Sequence, residues 1–349
     1  MKYLQQTCVC IFILLSVVST TACFKQIVES RKPVPDIIWP KPPDVPRIRL
    51  LNSISAPEDM NIREEGLSRF IRFVKGETNK SIVNPYGVVT DREGRLYIVD
   101  NYSRLVHVFD QAKGSYYTFP DEATSLISPI GIAIDSSDTI YVSDSKEAVI
   151  KIFRAGGKKY IGEMGRGVLE RPTGVAYNAL ADELLVVDTQ SSEIIKYDTV
   201  GHKVRGIIGR EGNIEGHFYK PTNIAVAADG RLIISDSLNF RVQILSPEGV
   251  FISAFGKAGD GPGYFSRPRG VASDSDGNVY VVDALFDNIQ VFDSQGRLLM
   301  VFGNPGNGYG EFWLPSGIYI DADDSIYVSD SYNHRVQIFK YLKGDEFIK

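Results

Sequence analysis

The chain has 349 residues, 43% of them hydrophobic, with 38 basic and 43 acidic side chains and a formal net charge of -5. The apolar content is ample for a sizeable core, and the slight acidic excess excludes the global basic field that nucleic-acid binding calls for. Cys8, Cys10 and Cys23 are the only cysteines and His107, His202, His217 and His334 the only histidines, so no disulfide framework, thiolate metal site or short zinc spacing exists past residue 23.

Met1-Lys2 followed by the apolar run Val9 to Val18 has the form of an export signal, and it is too short to span a bilayer comfortably. The sequence Ser-Thr-Thr-Ala-Cys ending at Cys23 resembles the lipobox of bacterial lipoproteins, with Thr20 where Leu is usual. The resemblance implies a signal peptide over 1–22 and lipid attachment at Cys23. Acyl chains contribute about 0.8 kcal/mol per buried CH₂, so several together anchor stably. Phe24 is not the Asp associated with inner-membrane retention, which favours the outer membrane. Prolines at Pro33, Pro35, Pro40, Pro42, Pro43 and Pro46 favour polyproline conformation, so residues 23–46 are expected to be an extended tether.

Two segments can close the sixth blade from the N-terminal side: residues 47–54, which alternate as a strand and are expected to do so, and Phe70 to Gly76, which occupies the register of a fourth strand before copy one. Over 62–75, Leu67, Phe70, Ile71 and Val74 fall at helical spacing, with Asn61 and Glu64 in capping-box positions, which predicts one short helix. From residue 84 one unit recurs six times. It opens on an X-Pro-X-Gly start such as Asn84-Pro85-Tyr86-Gly87, and continues through a short apolar strand and a polar turn. A β-branched strand follows, ending in Asp100, Asp144, Asp188, Asp236, Asp283 or Asp330. These aspartates are 44, 44, 48, 47 and 47 residues apart. Each unit reads as four short antiparallel strands, apolar on both faces, which must stack against copies of itself to be buried.

The sixth copy, IYVSDSYNHRVQIF, and the fourth, with SDSLNFRVQIL, resemble the NHL-repeat family. The likeness covers about residues 80 to 341, although copies two and three lack the Asn-His-Arg element. It implies an all-β, six-bladed β-propeller of four-stranded antiparallel blades over 47–349.

Several motifs invite a chemical reading. The six closing aspartates look acidic as a set, yet one per blade is too far apart for a carboxylate pair. They are expected to accept backbone N–H groups, in some blades with an ion partner shortly after, Arg104 four residues on and Arg241 and Arg335 five. Asp274-Ser-Asp276-Gly-Asn278 and Asp321-Ala-Asp323-Asp324 begin like calcium loops but run into strands, so they read as tight turns. The Gly-rich loops before each proline open strands rather than helices, which argues against a phosphate cradle. Their Phe218, Phe265 and Phe312 recur in register and are expected to pack between blades.

The same loops carry Arg166, Arg171, Arg210, Lys220, Lys257, Arg267 and Arg269, with Tyr219, Tyr264 and Trp313. Register places these on one face of the disc around the channel mouth, and Arg171, Lys220, Arg267, Arg269, Tyr219, Tyr264 and Trp313 are the candidate partner-binding residues. No catalytic residue, metal ligand or cofactor is expected. The reading is a membrane-anchored, non-catalytic binding or scaffolding module of the bacterial envelope, facing the periplasm or cell surface, with another envelope or extracellular protein as partner. The alternative is a lyase or lactonase-like hydrolase with a channel metal, which the family's His-rich or carboxylate/Asn sites would imply. The first-strand residues Val88, Ile132, Val175, Ile224, Val271 and Ile318 are flanked by no such cluster.

Overall fold

The computed structural model describes residues 33–62, 81–121 and 124–343. They form a six-bladed β-propeller. Blade 1 runs through Pro85–Thr90, Leu96–Asp100, Leu105–Asp110 and Ser115–Phe119, and blades 2 to 5 repeat the same four-stranded antiparallel order. In blades 1, 2, 3 and 5 the inner strand starts with its proline opposite the closing aspartate, as in Pro85 against Asp100, and a bulge follows. In blade 1 the register gains one residue between Pro85 and Val88, a bulge across Tyr86 and Gly87.

The core lies between blades. Val89, Val99 and Val108 of blade 1 pack with Ile132, Val142 and Phe153 of blade 2, and Leu185 and Ile194 of blade 3 with Ile224 and Ile234 of blade 4. Phe218, Phe265 and Phe312 are fully buried. Phe218 joins the core between blades 3 and 4 and Phe265 that between blades 4 and 5, which is the packing role their register predicts.

The ring is closed from the N-terminal side. Ile48–Ile54 pairs antiparallel with Arg335–Tyr341 as the outer strand of blade 6. Part of the proline-rich segment expected to run free over 23–46 is tied down instead. Ile38–Trp39 adds a fifth strand to blade 6, pairing with Arg49 and Ile48. The reason is aromatic: the Trp39 ring lies 5.8 Å from both Phe302 and Phe339, against Gly310, where a Cβ would stand 2.7 Å from the indole. The helix expected over 62–75 lies outside the described residues past Ile62.

Candidate functional site

The six closing aspartates are all fully buried, and each accepts backbone N–H groups from the loop ahead of its own inner strand. Asp188 takes those of Glu170 and Arg171, at 2.6 and 3.0 Å, and Asp283 those of Ser266 and Arg267, at 2.7 and 3.0 Å. These aspartates therefore fix the backbone from which two mouth arginines project. Arg241 and Arg335 pair with Asp236 and Asp330 at 2.8 and 2.7 Å. Arg104 does not follow the pattern and is exposed. In blade 1 the buried His107 takes its place, with Nε2 3.2 Å from Asp100 and Nδ1 2.6 Å from the Tyr116 hydroxyl.

Burial alone would raise the Asp100 pKa. The His107 imidazole and the N–H groups of Ser103 and Val83 outweigh it and hold the carboxyl at about 2. A folded value below the unfolded one of about 3.9 gives stability that is complete above about pH 4 and lost as pH falls towards 2. Asp100→Asn should therefore cost about 2 kcal/mol at neutral pH, and the difference from wild type should shrink near pH 2. Urea melts at the two pH values check this.

The Asn, Arg and Gln of the repeat signature act as a loop clamp. Gln243, Gln290 and Gln337 each accept an N–H from Gly216, Gly263 or Gly310 and donate to the next residue's carbonyl at 2.7 Å. Asn239 and Asn333 hold Gly212 and Gly306 of the same loops. The Asp274 carboxylate accepts the N–H groups of Asp276 and Asn278 and the Tyr280 hydroxyl, so that motif is a turn. Among the described residues no three His, Cys, Asp or Glu are placed to share a metal ion.

A cavity of about 690 Å³ fills the centre of the ring, within the usual range for a small-ligand site. Of the seven basic residues named from the sequence, Arg171, Lys220, Arg267 and Arg269 line it. The others are diverted: Arg166 pairs with Glu163 at 2.6 Å, Arg210 bonds His217, and the Lys257 ammonium sits 4.8 Å over the Tyr264 ring. Tyr219 is exposed, and Trp313 lies 5.6 Å from Tyr332, but neither they nor Tyr264 form part of the cavity wall. Four of the seven basic residues named from register thus line the cavity, and the other three are engaged elsewhere.

Lys220 reaches the Gln190 carbonyl at 2.8 Å and Glu211 at 3.4 Å. Among the described residues Arg171, Arg267 and Arg269 have no ion pair, and the cavity wall contains no carboxylate and no histidine. Like charges gathered at an opening with low-dielectric walls focus a positive potential that an anion relieves.

One feature of the mouth was missed in the sequence. The residue after each closing aspartate donates to the proline carbonyl of the next blade: Asn101 to Pro129 at 3.0 Å, Thr189 to Pro221 at 2.7 Å, Ser331 to Pro85 at 2.7 Å, with Ser145 and Ser237 bonding Pro172 and Pro268 likewise. Ala284 in blade 5 has no group to offer. The recurring polar residue after Asp was the available signal.

The NHL repeat model matches residues 265–292 and 312–339, the fifth and sixth copies. The other four copies share the pattern and close one ring with these two. The chain is a six-bladed β-propeller that carries NHL repeats. It is 31% identical over 96 residues to the probable peptidyl-alpha-hydroxyglycine alpha-amidating lyase of Caenorhabditis elegans, 26% of this chain and 27% of that protein. It thus spans about a quarter of that relative's length. Its fold is similar to an auxiliary nutrient binding protein of Bacteroides thetaiotaomicron, with 14% identity, 75% of this chain, 70% of the other and a TM-score of 0.60. It is also similar to virginiamycin B lyase of Staphylococcus aureus, with 15% identity, 74% of this chain, 96% of the other and a TM-score of 0.56. At such identities the likeness to these two structures is one of fold.

Proposed function

We propose that the propeller is a non-catalytic binding module of the bacterial cell envelope that takes an anionic ligand, or an acidic group of an envelope partner protein, at its channel mouth. The observation that carries this reading is the set of Arg171, Arg267 and Arg269, without counter-ions among the described residues, converging with Lys220 on a cavity whose wall has no acid. Guanidinium groups suit carboxylates and phosphates because their donors form a planar fork. Reversing all four charges (Arg171→Glu, Lys220→Glu, Arg267→Glu and Arg269→Glu) should cut capture of partners from detergent-solubilised envelopes at least tenfold, with the melting temperature little changed. Capture at the wild-type level by a folded variant would remove the reading.

Placement in the envelope rests on the N-terminal sequence. Cys23→Ser should move the protein from the membrane pellet to the soluble fraction, and a variant that still sediments with membranes would count against lipid anchoring.

The lyase-named relative favours a competing reading, an enzyme with a metal in the channel. The wall offers a metal ion hydroxyls and backbone but no carboxylate or histidine, and the cations at its mouth repel one. Stoichiometric Ca²⁺ or Zn²⁺ in the purified protein would favour the enzyme reading over binding.

A further inference from the structure

The cavity wall is polarised along its axis. All four cations stand where the inner strands begin, on the residues flanking Pro172, Pro221 and Pro268. Just inside them the hydroxyls are already engaged: Thr173 bonds Thr189, Thr222 bonds Ser237 and Ser316 bonds Ser331, at 2.7 to 2.8 Å. Thr189, Ser237 and Ser331 donate onward to proline carbonyls, so their protons are not available to a ligand. Further along the strands the wall is largely aliphatic, with half-buried Ile134, Ala176, Ala225, Val226 and Ile320, while Ile130 stands level with Arg269. Its polar side chains there, such as Thr90 and Ser273, are uncharged. An inner strand such as Pro129–Ile134 has six residues and gives roughly 20 Å of wall at about 3.3 Å each.

A small hydrophilic anion would satisfy the mouth and leave this apolar wall in contact with water. We propose that the channel binds an amphipathic anion, with a phosphate or carboxylate head at Arg171, Lys220, Arg267 and Arg269 and an apolar chain running between the inner strands. This rests on reading the mouth as an anion site and adds the chemistry of what the anion carries.

The test is calorimetric titration of the folded protein with butyl, hexyl and octyl phosphate below their micellar concentrations. Inorganic phosphate serves as head alone, 1-octanol as chain alone, and octanoate separates carboxylate from phosphate. Each methylene entering the channel should tighten binding about fourfold. Octyl phosphate should exceed both inorganic phosphate and octanol by more than tenfold. The triple variant Arg171→Ala, Arg267→Ala, Arg269→Ala should lose at least tenfold for octyl phosphate while keeping its fold by circular dichroism.

Equal affinity for inorganic phosphate and every chain length would leave the mouth an anion site and overturn the apolar half of the proposal. An affinity that rises with chain length but matches octanol, and ignores the triple variant, would overturn the anionic half. No binding of any probe would overturn this proposal; the envelope-capture comparison then decides separately whether the mouth serves a protein partner.

Discussion

Gly317→Ala should lower the stability of the propeller by about 3 kcal/mol or more, a fall of roughly 6–10 °C in Tm. A Cβ at Gly317 would stand 2.1 Å from the Tyr86 carbonyl oxygen and 3.1 Å from its carbon. Both are backbone atoms, so no rotamer change relieves the overlap and one blade must move from its neighbour. Gly131 and Gly270 meet the next blade in the same way, with oxygens at 2.3 and 2.7 Å. The Gly of the X-Pro-X-Gly start is therefore the point of closest approach between inner strands. Gly317 is singled out because its approach is the shortest of these, across the junction of blades 6 and 1. The junction is held by contacts such as Ser316 and Ser331 on the Pro85 carbonyl. The variant should thus open the ring as well as weaken it, exposing Ile98, Phe109 and Val336 of that junction's core to limited proteolysis. Gly206→Ala is the control, since its nearest neighbour would be a lysine carbon at 4.0 Å, and it should be neutral or slightly stabilising. Equal behaviour of the two variants would show that close approach does not constrain the ring.

How much of this was legible beforehand follows from the range of the interactions. Strand identity and blade number were readable because each blade repeats a local pattern, apolar on both faces and ended by Asp100 or its counterparts. Phe218, Phe265 and Phe312 were readable for the same reason, through register. The hydroxyl-to-proline links from Thr189 to Pro221 and from Ser331 to Pro85 were not, because they join residues of different blades and depend on how tightly the ring curves. Nor was the seat of Trp39, which needs the side-chain-free surface of Gly310, far away in sequence. Among the basic residues, local charge could not tell Arg166, which is satisfied by Glu163 on its own blade, from Arg171, which is left at the channel. His107 shows the same limit: it occupies the third-strand position that Gln243 holds in blade 4, and its pairing with Asp100 emerges from the cross-strand register.

Arg335→Ala should cost about 3–5 kcal/mol at neutral pH, since it removes one partner of a buried ion pair and leaves the other. The Arg335 side chain is 10% exposed; its Nε donates to Asp330 at 2.7 Å, and its terminal nitrogens donate to the carbonyls of Asn307, Gly308 and Glu311 at 3.0, 2.7 and 2.8 Å. Truncation leaves a fully buried carboxylate without its counter-charge and takes a donor from each of three loop carbonyls at once. Arg335→Lys should recover only part of the loss, because an ammonium cannot reproduce the planar fork that spans three acceptors. Acid pH separates charge from packing. Burial already holds the Asp330 pKa above the ordinary range, against the opposing Trp313 N–H, Asn333 and Arg335, and losing the guanidinium raises it further. A group whose folded pKa is raised adds stability that is present below the unfolded value and lost as pH rises through the folded one. The deficit of Arg335→Ala should therefore be largest at neutral pH and shrink as the pH approaches 4. A deficit that stays constant across that range would mean that the lost arginine stem, and not the orphaned carboxylate, weakens the loop. Arg241→Ala in blade 4 should cost less, since Arg241 makes the corresponding ion pair from a more exposed position, at 15%.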